Sequence, residues 1–139
     1  MAAGNTQIKT QNISIGYHTP LLKRLNLELH RGQLIALMGK NGTGKSTLLR
    51  SLIGMEPVLE GTVTLNGKAL ETYSAPAVAR QISYCGANMQ MPGSLRVRDL
   101  VLYGRYPYLG FMARPRQKDF GRVEHAMTAM HIKSLSERF

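Results

Sequence analysis

The sequence predicts one domain of the α/β class, in which a sheet packs against helices. Residues 7–15 and 25–30 alternate apolar with polar side chains, which is typical of strands with one buried face. A continuous apolar run at residues 34–38 is followed by a glycine-rich segment and then by apolar residues at helical spacing. The chain has 139 residues, of which 43% are hydrophobic and 19% charged. This composition predicts a single packed core and excludes a disordered or collagen-like chain.

The charge is strongly positive, with 18 Lys and Arg against 8 Asp and Glu, a net charge of +10. Such a balance suits either a polyanionic partner or a solvated basic face. The one cysteine, Cys85, cannot form an internal disulfide, which favours a reducing compartment. No stretch approaches the ~20 apolar residues that cross a bilayer, and the N-terminus lacks the basic start and apolar run of an export signal.

The first half of the chain is divided by clear local signals. Residues 34–38 are expected to form a strand buried on both faces. Residues 45–53 are expected to form a helix that ends before Gly54, with Leu48, Leu49, Leu52 and Ile53 on one stripe. Residues 61–65 alternate again and meet Asn66-Gly67, a strong turn signal, which predicts a further antiparallel strand pair. Residues 16–20 are expected to form a loop.

The second half is less regular. A short helix is expected at residues 75–81, a strand at 82–85 and the start of a helix at 98–102. Residues 104–115 show no clear period and are expected to be a loop. An amphipathic helix is expected where apolar residues recur at three and four: Phe120, Val123, Met127 and Met130. Its methionines are interpreted as core residues.

Residues 39–46 read GKNGTGKS and fit the phosphate-binding loop pattern of glycine, four residues, glycine, lysine and serine or threonine. Glycines at positions 39, 42 and 44 let the backbone turn its N–H groups around phosphate oxygens. The helix that follows directs unpaired N–H groups at the same phosphates, and Lys45 is expected to reach the β and γ groups. Ser46 would offer its hydroxyl to Mg²⁺. The alternative is an ordinary glycine-rich turn with a surface lysine.

The loop, with Tyr17 about twenty residues upstream and residues 61–67 downstream, resembles the nucleotide-binding subunit of an ATP-binding cassette (ABC) transporter. The resemblance implies a P-loop NTPase with a RecA-like core and an N-terminal antiparallel β-subdomain, and one domain over residues 1–139. It implies that Tyr17 stacks on the adenine of Mg-ATP, that Lys45 is catalytic and that Ser46 holds the metal ion. The implied nucleotide-binding residues are Tyr17, Gly39, Lys40, Asn41, Gly42, Thr43, Gly44, Lys45, Ser46 and Thr47.

Residues 95–110, which read LRVRDLVLYGRYPYLG, look like the subgroup of this family that energises uptake of iron–siderophore complexes, haem or vitamin B12. In that subgroup this region contacts the membrane-embedded permease. The resemblance therefore implies permease subunits and a second ATPase subunit, as a homodimer, as partners. It also implies a peripheral location on the cytoplasmic face of the inner membrane and no nucleic-acid partner. A solvated helical face is the alternative interpretation of these basic and tyrosine residues.

The sequence departs from the family pattern at two places. The family's magnesium- and water-contacting glutamine falls on Ala87 here, and Gln90 stands three residues later. The family also continues, after the point matching Phe139, into a signature sequence, a magnesium-binding aspartate with a catalytic glutamate, and a switch histidine, none of which is present. The resemblance thus implies the N-terminal portion of an ATP hydrolase, incomplete at its C-terminus, that binds ATP without hydrolysing it.

Two other functions are compatible with the residues. A different P-loop protein, such as a small kinase or GTPase, would share the loop but have no role in transport. A basic nucleic-acid-binding module would explain the charge, and its affinity for DNA or RNA would fall steeply with salt. Guanine selectivity would favour a GTPase.

Overall fold

The computed structural model describes residues 6–86, 94–110 and 114–139. Ala87 and Gln90, the two positions considered for the family glutamine, lie outside these residues. The chain divides into two compact units, one reaching to Val78 and the other beginning at Ala79. The phosphate-binding loop belongs to the first unit, and the basic, tyrosine-bearing stretch belongs to the second.

The first unit is built on an antiparallel sheet of five strands. These are β1 (Thr6–Gly16), β2 (Pro20–Leu25), β3 (Glu28–His30), β4 (Glu60–Leu65) and β5 (Lys68–Ala69). The central strand is β1, which pairs with β2 and β3 at one edge and with β4 at the other, and β5 continues from β4. Thr10 pairs with Val63 in the β1–β4 ladder. The Asn66-Gly67 turn joins β4 to β5 with both residues at positive φ, as the sequence predicts.

Helix α1 (Lys45–Leu52) contacts β1 and closes the core of this unit. Its buried side chains are Thr47, Leu48, Ser51 and Leu52, while Leu49 is 46% exposed, so the buried stripe is narrower than expected. Gly54, at φ +74°, follows the helix as predicted. The sheet supplies Ile13, Ile15, Val63 and Leu65 to the same core.

The predicted strand at residues 34–38 is absent, and this prediction was wrong. Leu34 is fully exposed and Met38 is 86% exposed. An apolar run becomes a strand only where neighbouring strands take its backbone hydrogen bonds. Among the described residues, the sheet pairs only β1 to β5 and supplies no neighbour to residues 34–38. The strand expected at residues 82–85 is missing in the same way.

The chain between Gly16 and His30 is more ordered than expected. Only residues 17–19 form the bend, and Pro20 begins β2, which extends to Leu25. The single strand expected over residues 25–30 is thus divided between β2 and β3. β2 and β3 pair with successive stretches of β1 in nearly the same antiparallel register, so the chain continues along β1 with a break at residues 26–27.

A short helix, α2 (Ala75–Ala79), includes the boundary between the units. The second unit then contains α3 (Val97–Tyr103) and α4 (Gln117–Ala129), which pack together. The amphipathic pattern of α4 is confirmed in part. Val123 and Met127 are buried, whereas Phe120 and Met130 are 50% and 71% exposed. The loop expected at 104–115 contains a 3-10 turn at Tyr106–Tyr108. No helix in the described ranges is long and apolar enough to cross a membrane.

Candidate functional site

The candidate phosphate-binding loop occupies residues 39–44 and leads directly into α1. Gly42 and Gly44 adopt φ values of +80° and +89°, in the left-handed region that side chains disfavour. Residues 39–43 are exposed to solvent, whereas Gly44 is buried. The two glycines therefore let an exposed loop turn sharply into a helix, as the motif predicts.

Lys45 folds back over this loop. Its ammonium nitrogen donates to the carbonyl oxygens of Gly39, at 2.7 Å, and Lys40, at 2.6 Å. An ammonium group has three N–H donors, so one donor is left for an incoming acceptor. The lysine thus holds its positive charge at the loop and braces the loop from within.

Gly39 lies where a side chain would crowd the loop. A Cβ atom at this position would lie 3.2 Å from the Thr43 hydroxyl, which itself donates to the Lys40 carbonyl oxygen at 2.8 Å. The Lys40 carbonyl oxygen therefore accepts from both Thr43 and Lys45. These contacts fold the loop before any ligand is bound, which lowers the entropic cost of binding one.

The first turn of α1 adds the second part of an anion site. Gly44 caps the helix without a side-chain hydrogen bond, and no acidic residue stands in the first turn. The N–H groups of that turn are consequently left for an anion. Ser46 is exposed, so its hydroxyl can meet a ligand, whereas Thr47 is 8% exposed and can contribute only through its backbone.

Tyr17 lies in the bend between β1 and β2, and 58% of it is exposed. The strand that follows the bend approaches the loop, because a Cβ atom at Gly44 would lie 3.4 Å from the Cβ atom of Leu21. Tyr17 lies four positions before Leu21 in the sequence. The hairpin of β1 and β2 brings Leu21, in the strand after Tyr17, to the end of the loop that leads into α1.

Leu21 and Leu22 lie beside the end of the loop, and the sequence did not predict this proximity. Both come within 4 Å of a Cβ atom at Gly44. Nothing in their local pattern distinguishes them from other apolar strand residues, since their role depends on the fold that brings β2 against the loop. The sequence of residues 16–20, interpreted as a loop, did not predict that the next strand would approach the phosphate-binding loop.

The donor set fits the phosphates of a magnesium-bound nucleotide. The loop offers a lysine ammonium, positive-φ glycines and the first turn of a helix, and Ser46 supplies an exposed hydroxyl oxygen, a ligand type that Mg²⁺ accepts. Three carboxylates of the first unit are engaged elsewhere. Glu28 pairs with Lys9, Glu56 with Arg50, and Glu60 accepts a hydrogen bond from Ser14.

Comparison with known proteins identifies the family. A family model described as ABC transporter matches residues 22–139. Tyr17 lies just outside the matched range.

Curated relatives match nearly the whole chain. The ferric enterobactin transport ATP-binding protein FepC of Escherichia coli (strain K12) is 33% identical over 139 residues, which are 99% of this chain and 51% of that protein. The petrobactin import ATP-binding protein FpuD of Bacillus anthracis is 33% identical over 132 residues, which are 94% of this chain and 48% of that protein. The chain spans about half the length of the curated relatives it matches.

Solved structures show the same fold. The structure of an ATP binding subunit of an ABC transporter superposes with a TM-score of 0.74 at 23% identity, covering 95% of this chain and 54% of that one. The cbiO1 protein of Clostridium perfringens, part of the ABC transporter complex cbiONQ, gives a TM-score of 0.68 at 22% identity, with 96% and 54% coverage. These similarities establish a P-loop NTPase fold of the ABC type, and the chain belongs to the ABC transporter family.

Proposed function

We propose that this chain binds Mg-ATP at residues 39–47 and supplies the nucleotide-binding part of an importer ATPase. The observation that carries the proposal is the Lys45 ammonium group, which is held over the loop by two carbonyl oxygens at the N-terminus of α1. In this proposal the loop glycines, Lys45 and the first turn of α1 hold the phosphates. Ser46 would hold Mg²⁺, which supplies charge neutralisation at the phosphate oxygens when bound.

Tyr17 is proposed to stack on the adenine ring. Its exposure and its place in the hairpin that touches Gly44 support this role. Stacking of a base on an aromatic ring contributes about 1–3 kcal/mol, so Tyr17 would strengthen nucleotide binding without contacting the phosphates.

For these 139 residues we propose nucleotide binding without sustained hydrolysis. Hydrolysis in intact family members needs a group that orients water and further ligands to the metal ion. Of the four carboxylates of the first unit, Glu28, Glu56 and Glu60 are held by Lys9, Arg50 and Ser14, and Glu71 lies in the 3-10 turn after β5. Release of inorganic phosphate from ATP by the purified chain tests the proposal, and sustained turnover would contradict it.

The substrate class proposed for the importer is an iron–siderophore complex. The names of FepC and FpuD, which refer to ferric enterobactin and petrobactin, support this class. The proposed partners are permease subunits of the membrane and a second ATPase subunit, with the chain peripheral to the cytoplasmic face. Disrupting the gene in the source cells is expected to lower uptake of a radiolabelled ferric siderophore, and unchanged uptake of every siderophore tested would contradict the proposed class.

Calorimetric titration of the purified chain with three ligands tests the nucleotide site. The ligands are Mg-ATP, Mg-GTP and magnesium tripolyphosphate, which has the phosphates without the base. Lys45→Ala is expected to weaken both ATP and tripolyphosphate about 10- to 100-fold, because it removes charge-assisted hydrogen bonds. Tyr17→Ala is expected to weaken ATP about 10-fold and leave tripolyphosphate unchanged, with Tyr17→Phe as the matched control that keeps the ring.

The pattern of losses decides between the proposals. Equal ATP affinity in Lys45→Ala and the parent chain would contradict the proposed phosphate site. A loss of tripolyphosphate binding in Tyr17→Ala would show that this residue supports the loop and does not stack on a base. A clear preference for GTP would replace the importer proposal with a GTPase.

A further inference from the structure

Three tyrosines and two arginines form a defined surface in the second unit. Tyr103, Tyr106 and Tyr108 are 50%, 59% and 47% exposed, and Arg80 and Arg105 lie over the Tyr108 ring. The rings of Tyr103 and Tyr106 meet edge to face, with their centroids 6.1 Å apart. We call these five residues the tyrosine–arginine surface. Three half-exposed aromatic rings at one place are unusual for a surface in contact with water alone.

A buried carboxylate holds this surface in place. Asp119 is 1% exposed, and one of its oxygens accepts from the Arg105 Nε atom at 3.2 Å. Its other oxygen accepts from the Arg116 backbone N–H at 3.0 Å, at the start of α4. The Arg105 guanidinium carbon is 4.1 Å from the centre of the Tyr108 ring. The planar group of Arg105 is thus fixed between α4 and the 3-10 turn that carries Tyr108.

Arg80 completes the surface from another part of the chain. Its Nε atom donates to the Pro107 carbonyl oxygen at 2.7 Å, and the Tyr108 hydroxyl donates to the Arg80 carbonyl oxygen at 3.4 Å. These bonds leave the terminal guanidinium nitrogens of Arg80 available. Among the described residues, no carboxylate pairs with Arg80.

The second unit has fewer carboxylates than cationic side chains. Residues 79–139 contain ten Lys and Arg and four Asp and Glu, a net charge of +6. Each of the four carboxylates is already in an ion pair within the unit. Asp99 pairs with Arg98, Asp119 with Arg105, Glu124 with Lys133, and Glu137 with Arg96 and Arg98. The ion pairs of this unit thus leave Arg80 available to a carboxylate from outside the unit.

We propose that the tyrosine–arginine surface binds an acidic segment of a protein partner. A carboxylate of the partner pairs with Arg80, and apolar groups beside it pack on Tyr103 and Tyr106. Arg105 is a positioning residue, because Asp119 neutralises its charge while its plane supports Tyr108. The inference rests on the proposed permease contact and adds that the contacting segment of the partner is acidic, with apolar groups beside the carboxylate.

The composition of the surface favours a protein over the other polyanions. Tyrosine and arginine are enriched at the centres of protein–protein interfaces, where a few such residues carry most of the binding energy. Nucleic acid binding draws its affinity from several uncommitted cations along a phosphate backbone. The tyrosine–arginine surface has one cation without a carboxylate partner among the described residues, since Arg105 is paired with Asp119.

The test uses the full chain and two labelled helical peptides. One peptide combines glutamate with leucine, and its control replaces every glutamate with glutamine. Fluorescence anisotropy is expected to show binding to the glutamate peptide at least fivefold tighter than to the glutamine peptide. Arg80→Gln and Tyr106→Ala are expected to weaken the glutamate peptide about 5- to 10-fold. Arg122→Gln, which removes the same charge from an exposed site on α4, is expected to change the affinity less than twofold.

The salt dependence separates the two arginine roles. Arg80→Gln is expected to flatten the decline of affinity with salt, because it removes the charge that meets the peptide. Arg105→Lys keeps a charge beside Asp119 but loses the planar group, so the affinity is expected to fall about threefold with an unchanged salt slope. A flattened slope in Arg105→Lys would overturn its positioning role.

Several results would overturn the proposal itself. These are equal binding of the two peptides, equal effects of Arg80→Gln and Arg122→Gln, and tighter binding to a thymidine oligonucleotide or to phosphatidylglycerol vesicles than to the glutamate peptide. ATP affinity is measured on the same samples. If ATP binds while the peptides do not, the surface proposal fails alone, and if the peptides bind while ATP does not, the nucleotide site fails alone.

Discussion

The Lys45 ammonium nitrogen lies 2.6 Å from the Lys40 carbonyl oxygen, so the lysine of the phosphate-binding loop is bonded to the loop's own backbone. A second bond, to the Gly39 carbonyl oxygen, draws the start of the loop to the same point. Charge-assisted hydrogen bonds of this kind are short and comparatively strong. The lysine therefore braces the loop and has one N–H donor left, which the proposed function assigns to phosphate.

The bracing role predicts that the free loop becomes more mobile when the ammonium group is removed. Lys45→Met keeps much of the side-chain length but cannot donate, so amide hydrogen exchange over residues 40–44 is expected to quicken several-fold without ligand. Lys40→Met is the matched control, because the carbonyl oxygen that accepts the bond belongs to the backbone and is retained. Equal exchange in Lys45→Met and the parent chain would show that the two hydrogen bonds do not stabilise the loop.

The second prediction concerns Gly61 at the beginning of β4. Gly61 has φ +80°, and a Cβ atom there would lie 2.4 Å from the Gln11 carbonyl oxygen, where β1 bulges between Gln11 and Ser14. Gly61→Ala is expected to destabilise the first unit by about 3 kcal/mol or more, because backbone atoms would have to move.

Gly67 provides the matched control for Gly61. It has a similar φ of +78°, but a Cβ atom there would meet nothing within 4 Å. Gly67→Ala is expected to lower the free energy of unfolding by only about 1–2 kcal/mol, the cost of holding a residue with a Cβ atom at positive φ. Urea unfolding of both variants measures the difference, and equal losses would mean that the sheet absorbs the added atom without strain.

The third prediction is an acid sensitivity of the second unit. The backbone N–H of Arg116, with a smaller contribution from Arg105, holds the pKa of Asp119 below its ordinary range. A group with a lowered pKa in the folded state stabilises that state above its unfolded pKa and loses this effect as the pH falls through the folded pKa. The contribution of Asp119 is therefore expected to disappear as the pH drops below about 4.

Asp119→Asn tests this acid sensitivity. Unfolding is followed by tyrosine fluorescence and circular dichroism between about pH 7 and pH 2, and the variant is expected to lose less stability over the acid range than the parent chain. Asp99→Asn, which changes an exposed carboxylate paired with Arg98 at 3.7 Å, serves as the control and is expected to retain the parent profile. Identical acid profiles for Asp119→Asn and the parent would contradict the role of Asp119.

Much of the candidate phosphate site could be predicted because its parts are adjacent in the chain. The loop glycines, Lys45 and the start of α1 lie within a few residues, so one motif contains the geometry. The boundaries of β4 and the Asn66-Gly67 turn are similarly local. The approach of Leu21 and Leu22 to the loop was not local, because it depends on β2 returning from the bend towards Gly44.

By itself, then, the sequence determined the loop, the helix after it, the main antiparallel strands and the family resemblance. Only the tertiary structure decided that Lys45 bonds to the backbone of its own loop and that Asp119, which looks like a surface acid on α4, is buried against Arg105. It also decided that residues 34–38 are exposed despite their apolar character. The physical reason is that backbone turns and helix signals arise between near neighbours, whereas strand pairing and burial require partners that come from elsewhere in the chain.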